Sequence, residues 1–168
     1  YDPDAVPQFV NGFFGVVDHR AVSGSLVFPR LVLDHQRVSG VLDRLVQNSF
    51  CPGELVDQVY VSSNGFLGFS GTNEDVNAPL PSLTGPDGMI AAYWDDLTPT
   101  DGQIHYYHDQ ANDRMMFQFT DVSRLFSTTT LLTFQMILNG NGTIEFQYED
   151  MVPQGHSATV GIETVLER

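Results

Sequence analysis

The sequence predicts an all-β fold: an antiparallel β-sandwich, jelly-roll-like in outline, with one short N-terminal amphipathic helix. Three observations carry that reading. Residues 114–120, 131–138 and 143–149 alternate side chains with period 2, as strands do when one face covers a core. Asn-Gly pairs and short polar clusters separate such segments at hairpin spacing. A sheet with one apolar face must be covered, and two sheets covering each other make a sandwich.

Taken in order, residues 22–28 and 31–34 read as strands separated by Pro29. Val38, Val41, Leu42, Leu45 and Val46 then recur at helical spacing, which predicts an amphipathic helix near 38–47 packed across an end or edge of the sandwich. Residues 56–63 (VDQVYVSS) form a β-branched strand ending at Asn64-Gly65, a tight-turn signal, and 66–69 is its partner. The stretch 70–88 holds three prolines and many small polar residues and reads as a long loop. Residues 89–94 (MIAAYW) are nearly all apolar, as in a strand covered on both faces. Regular alternation would put Ile90, Ala92 and Trp94 on one face, with Ala91 and Tyr93 on the other.

A strand at 103–108 follows, closed by the polar loop 109–113. Next, Met115, Phe117 and Phe119 share a face, as do Leu132, Phe134, Met136 and Leu138. After the turn at 139–142, Ile144, Phe146 and Tyr148 point inward, leaving Thr143, Glu145, Gln147 and Glu149 outward. Residues 158–163 supply the last strand. The whole, 1–168, is expected to be a single domain, with an irregular part at 1–55 and the core sandwich at 56–168.

Composition narrows the function classes. Hydrophobic residues make up 42% of the chain, enough for a packed core. No apolar run approaches the roughly 18 residues of a membrane span. The net charge is −14, and all seven basic residues are Arg. Such a chain repels nucleic-acid phosphates and anionic lipid and attracts divalent cations or basic partners. Cys51 is the single cysteine, so no internal disulfide framework exists. No activating base stands near it in sequence. Beginning on Tyr1, the chain is expected to be an excised or processed piece of a longer protein.

The motifs VYVSSNGFLGFSG (59–71), MIAAYWDDL (89–97), RMMFQF (114–119), LLTFQMILNGNGTIEFQYED (131–150) and ATVGIE (158–163) carry a family resemblance. In order and spacing they resemble extracellular β-sandwich modules akin to the NIDO domain of nidogen and mucin-type proteins. Similar bacterial modules are appended to secreted peptidases, adhesins and anchored surface proteins. The resemblance implies a secreted or cell-surface module, of bacterial origin, without shared catalytic residues. It also implies protein or glycan ligands at a surface or matrix, alongside other domains of the parent protein. Residues 1–55 lie outside it.

Several residues stand out as candidate sites. Asp95 and Asp96 end the strand 89–94, and Asp95, Asp96 and Asp101 are a candidate Ca²⁺ set, since Ca²⁺ takes six to eight oxygen ligands. Against this, alternation separates adjacent aspartates, and both can instead organise the turn after a buried strand. Asp109, Asn112 and Asp113 form a second candidate cation loop, and Asn73, Glu74, Asp75 and Asn77 a third; both are also ordinary turn compositions. His105 and His108, at an odd spacing on a strand, fall on opposite faces. Zn²⁺ binding would therefore need His19, His35 or His156 as well. Asn141-Gly142-Thr143 has the form of a glycosylation sequon.

The enzymatic alternative is Glu145-Phe-Gln147-Tyr-Glu149. It is similar to the E-x-D-x-E strand of laminarinase- and lichenase-type glycoside hydrolases, where paired carboxylates act as nucleophile and general acid. Here the central acid is Gln147, and the single Trp94 lies elsewhere in sequence. The expectation is thus a non-catalytic extracellular binding or structural module with Ca²⁺ as candidate stabiliser. The alternative is a carbohydrate-active jelly roll, a glycan-binding module or a hydrolase using Glu145 and Glu149.

Overall fold

The computed structural model describes residues 15–16, 30–31, 59–69, 74–82, 85–86, 88–100, 102–125, 127, 131–151 and 157–164. The expected helix near 38–47, Cys51 and most of the N-terminal part lie outside the described residues. Eleven strands are described, all antiparallel. They are β1 (Gly15–Val16), β2 (Arg30–Leu31), β3 (Val59–Ser62), β4 (Phe66–Gly68), β5 (Met89–Trp94), β6 (Leu97–Thr98), β7 (Gln103–Asp109), β8 (Arg114–Arg124), β9 (Leu131–Asn139), β10 (Ile144–Met151) and β11 (Thr159–Glu163). One sheet runs β1-β7-β8-β9-β10, with the short β6 paired to β8; the other runs β11-β5-β4-β3-β2. The fold is the two-sheet, all-β architecture that the alternation predicts.

The inner faces make one core. Val59, Val61, Leu67, Ile90 and Ala92 from one sheet meet Met115, Phe117, Phe119, Leu132, Phe134, Met136 and Leu138 from the other. Phe119 stacks on Phe134 with centroids 4.7 Å apart, an offset aromatic pair that fixes the register of β8 against β9.

A second, smaller core lies on the outer face of the β5 sheet. Phe66, Met89, Ala91 and Trp94 are buried there, with Ala78 and Leu80 of the long loop packed onto them. The loop is strapped down strand-wise. Thr159 donates its hydroxyl to the Ala78 carbonyl at 2.9 Å, and the Ser82 N–H donates to Glu163 Oε1 at 3.0 Å. Asn77 reaches the Ser157 carbonyl. This explains the apolar run 89–94: it is covered on both sides, by a sheet and by a loop.

Trp94 does not share the face of Ile90 and Ala92. The N–H groups of both Ala92 and Tyr93 donate to the Gly65 carbonyl, at 3.2 and 3.1 Å. Two successive donors on one acceptor define a β-bulge, and the β11–β5 register shifts at the same place. The extra residue turns Tyr93 toward the main core and Trp94 to the outer one, where its indole N–H donates to the Glu74 carbonyl at 3.0 Å. Strand β8 carries a comparable shift between Phe119 and Val122. There Asp121 takes φ 53°, a left-handed conformation that Asp tolerates better than most residues.

Gly65 has φ +80°, and a Cβ there would collide with the Tyr93 carbonyl. Gly65→Ala should therefore destabilise the domain by about 3 kcal/mol, combining backbone strain and overpacking. Urea unfolding measures this, and a change within about 0.5 kcal/mol, the range of ordinary surface substitutions, would contradict the bulge geometry.

Candidate functional site

The two bulges together build a polar node at one end of the sandwich. Without the β5 bulge, Asp95 would point away from the core; without the β8 bulge, so would Arg124. With both, the two side chains meet between the sheets. Arg124 Nη2 donates to Asp95 Oδ1 at 2.9 Å, and Nε approaches Oδ2 at 2.6 Å. The first is a directional hydrogen bond and the second a charge contact. The Asp95 side chain is only 3% exposed, whereas Arg124 keeps 25%. Hydrogen bonding to Asp95 raises the guanidinium above its ordinary value, against the opposing effect of its own burial.

Asn64 completes the node. Its side-chain oxygen accepts the Leu97 N–H at 3.1 Å, and its amide donates to the Glu74 carbonyl at 3.1 Å. The Asp95 N–H donates to the Asn64 carbonyl. One turn residue thus ties together the β3–β4 hairpin, the long loop and the β5–β6 corner. Asp95 Oδ1 also accepts the N–H of the next residue, Asp96, at 2.9 Å. Asp96 is half-buried. Burial first, then the negative charges of Asp75 and Asp95, push its carboxyl above the ordinary carboxylate range.

Asp95 therefore spends both oxygens on Arg124 and the turn. Among the described residues, the exposed Asp75 stands near enough to Asp96 for their charges to repel. Asp101 lies outside the described residues, as do Asn73, His19, His35 and His156. Among the described residues, no group of three or more His, Cys, Asp or Glu side chains is arranged to hold a metal ion.

The second candidate loop sits at the opposite end. Asp109 Oδ2 accepts from Asn112 Nδ2 at 2.7 Å and from Arg114 Nε at 3.0 Å, and Oδ1 accepts the Asn112 N–H at 3.2 Å. These bonds, the Asn112 side chain foremost, hold the Asp109 carboxyl below its ordinary value. Asn112 directs its NH₂ at Asp109, and Asp113 adopts φ 51° in the same turn. His105 pairs with Gln118 and His108 with the core residue Met115, so the two histidines occupy opposite faces.

Glu145 and Glu149 lie on β10, the terminal strand of its sheet. Glu145 accepts Asn139 Nδ2 at 2.7 Å. Gln147 accepts from the buried Gln135 at 2.7 Å. A bulge between Tyr148 and Asp150 interrupts the strand at Glu149, so the regular alternation linking the two glutamates ends there. Both are exposed. Farther along the same outer face the centre is closed over, with Met116 and Ile137 buried.

Sequence reading passed over three functional partners. Arg124 has no motif around it, since its meeting with Asp95 depends on bulges in two strands. Glu163, buried beneath the long loop, looks in sequence like a polar strand end. Asn64 was visible as a turn residue, and the Asn-Gly signal located it correctly without disclosing its other bonds.

Two outcomes are expected. Arg124→Leu strands a buried carboxylate and should cost about 3 kcal/mol, whereas Asp95→Leu combined with Arg124→Leu should recover most of the loss. A double variant no more stable than the single one would show that the pair's charge is not the issue. Asp109 has a lowered folded value, so its stabilisation is complete above the ordinary value of 3.8 and fades as pH falls through the lowered one. Asp109→Asn should thus lower Tm at neutral pH and converge on the parent in acid. A loss that stays constant with pH would contradict an ionised Asp109.

Comparison with known proteins places these features in a family. The family described as NIDO related matches residues 49–167, well over half of the chain. No curated protein matches, and no solved structure does. The matched span contains both bulges, the Asn64–Asp95–Arg124 node and the loop-covered Trp94, and the chain belongs to the NIDO-related family.

Proposed function

We propose that the chain is a non-catalytic module of a larger secreted or cell-surface protein, bacterial in origin, that binds a protein or glycan ligand. One observation carries the reading. The carboxylates best placed for chemistry are engaged in holding the fold: Asp95 by Arg124, Asp109 by Arg114, and Glu163 by the Ser82 N–H. A catalytic acid–base pair needs carboxyls free to exchange protons with a substrate. The family membership supports the same reading, since NIDO-related domains are generally non-catalytic. Recognition then falls to surfaces, the loops at the ends of the sandwich or an exposed strand edge.

Ca²⁺ enters the proposal at Asp75 and Asp96, whose mutual repulsion a divalent cation would relieve. Asp95 then serves as the Arg-paired support of the turn.

The enzymatic alternative is tested by incubating the chain with plant and algal β-glucans and assaying reducing ends, with Glu145→Gln as control. No release is expected; release abolished by the substitution would replace the proposal with a hydrolase. Thermal melting in Ca²⁺ and in EDTA tests the cation. A higher Tm in Ca²⁺ that disappears in Asp96→Asn is expected, because a ligand of the folded state stabilises it. An unchanged Tm would remove Ca²⁺ from the proposal.

A further inference from the structure

An asparagine followed by glycine is a latent reactive pair. The glycine backbone nitrogen can attack the asparagine amide carbon, because glycine has no side chain to crowd the approach. Asn64-Gly65, Asn139-Gly140 and Asn141-Gly142 are the three such pairs among the described residues. The fold treats them differently.

Asn64 is 2% exposed, and its amide is bound at both atoms, by the Leu97 N–H and to the Glu74 carbonyl. Asn139 is half-buried, and its Nδ2 donates to Thr143 Oγ1 at 3.1 Å and to Glu145 Oε1 at 2.7 Å. Gly140 beside it is packed so closely on Asp113 that a Cβ there would collide with the carboxylate. Asn141 is exposed, in the turn between β9 and β10. Its Oδ1 accepts the Thr143 N–H at 3.0 Å and the Thr143 hydroxyl at 2.8 Å. Among the described residues its Nδ2 has no hydrogen-bond partner. Nothing stands within 4 Å of where a Cβ of Gly142 would lie.

Ring closure gives the amide oxygen negative charge and makes the amide nitrogen a leaving group. Two donors at Asn141 Oδ1 stabilise that developing charge, and its Nδ2 departs without breaking a bond to the protein. At Asn64 and Asn139 the fold holds the nitrogen instead. All three glycine N–H groups are bonded, Gly65 to the Ser62 carbonyl, Gly140 to that of Asp113 and Gly142 to that of Asn139. The nucleophile is therefore released only when a turn opens. Opening an exposed hairpin tip costs less than unpicking a buried corner.

We propose that Asn141 is a self-modification site that converts through a succinimide to aspartate and isoaspartate. The Gly142 nitrogen bonds to Asn141 Cγ as the Cγ–Nδ2 bond breaks, and Nδ2 leaves as ammonia carrying the Gly142 proton. Water then adds to either ring carbonyl and opens the ring. Breaking the new Cγ–N bond leaves aspartate at position 141, whose carboxylate keeps both Thr143 bonds, as Asp does in such turns. Breaking the original peptide bond instead routes the backbone through the side chain. That extra carbon disrupts the pairing of Asn139 with Gly142 and Thr143. The inference stands apart from the binding-module reading and needs no ligand.

The test is to age the full chain at mildly alkaline pH, native and in urea, and to map aspartate and isoaspartate by peptide mass spectrometry. In the native chain Asn141 should convert at least about tenfold faster than Asn64 or Asn139, because only its turn opens locally. In urea the three rates should draw together, since the fold imposes the ranking. Asn141→Gln should remove the native conversion. Asn141→Asp should keep the parent Tm, whereas the isoaspartate form, separated by ion exchange, should melt lower.

Native conversion at Asn64 or Asn139 ahead of Asn141 would overturn the proposal. So would an Asn141 that survives in the native chain while it converts in urea. An equal preference for Asn141 in urea would assign the effect to sequence alone and would also overturn it. None of these results bears on the glucan or Ca²⁺ assays.

Discussion

The ion pair between Asp95 and Arg124 is the contact on which the end of the sandwich depends. It exists because each of two strands carries an extra residue at the right place. In β5 the bulge lets the Gly65 carbonyl accept two successive N–H groups. In β8 the register slips beside Asp121. Each slip inverts the facing of everything that follows, so the strand end turns inward instead of outward. Two charged side chains are thereby delivered to the space between sheets, where neither is tolerated alone.

The same slip in β5 distributes the aromatic residues. Tyr93 joins the main core beside Phe134, and Trp94 joins Phe66 on the outer face, edge to face at 5.9 Å. A large indole placed there needs a lid and a partner for its N–H, and the long loop supplies both through Leu80 and the Glu74 carbonyl. The loop is consequently a third layer over β5 and β11. Glu163 and Thr159 hold it by hydrogen bonds to its backbone, which accounts for polar side chains on the covered face of a terminal strand.

The ends of the sandwich are tightly bonded turns, centred on Asp95 and Asp109. The side at β10 and β11 is different: Val160 and Ile162 of β11 are about half exposed there.

Much was legible in the residues themselves. Alternation in 114–120, 131–138 and 143–149 located three strands and their inward faces, and Asn64-Gly65 and Asn139-Gly140 located turns, because these signals arise from local backbone geometry and period. The separation of His105 from His108 followed from the same period. What the sequence could not supply was the facing of Trp94, Asp95 and Arg124, or the service of Glu163 to a loop some eighty positions away. A bulge leaves almost no trace in composition, since it is fixed by where a neighbouring strand's carbonyl lies. The chain thus determined its own elements and their apolar faces, whereas only the packed sheets decided which charges meet and which loop becomes a layer.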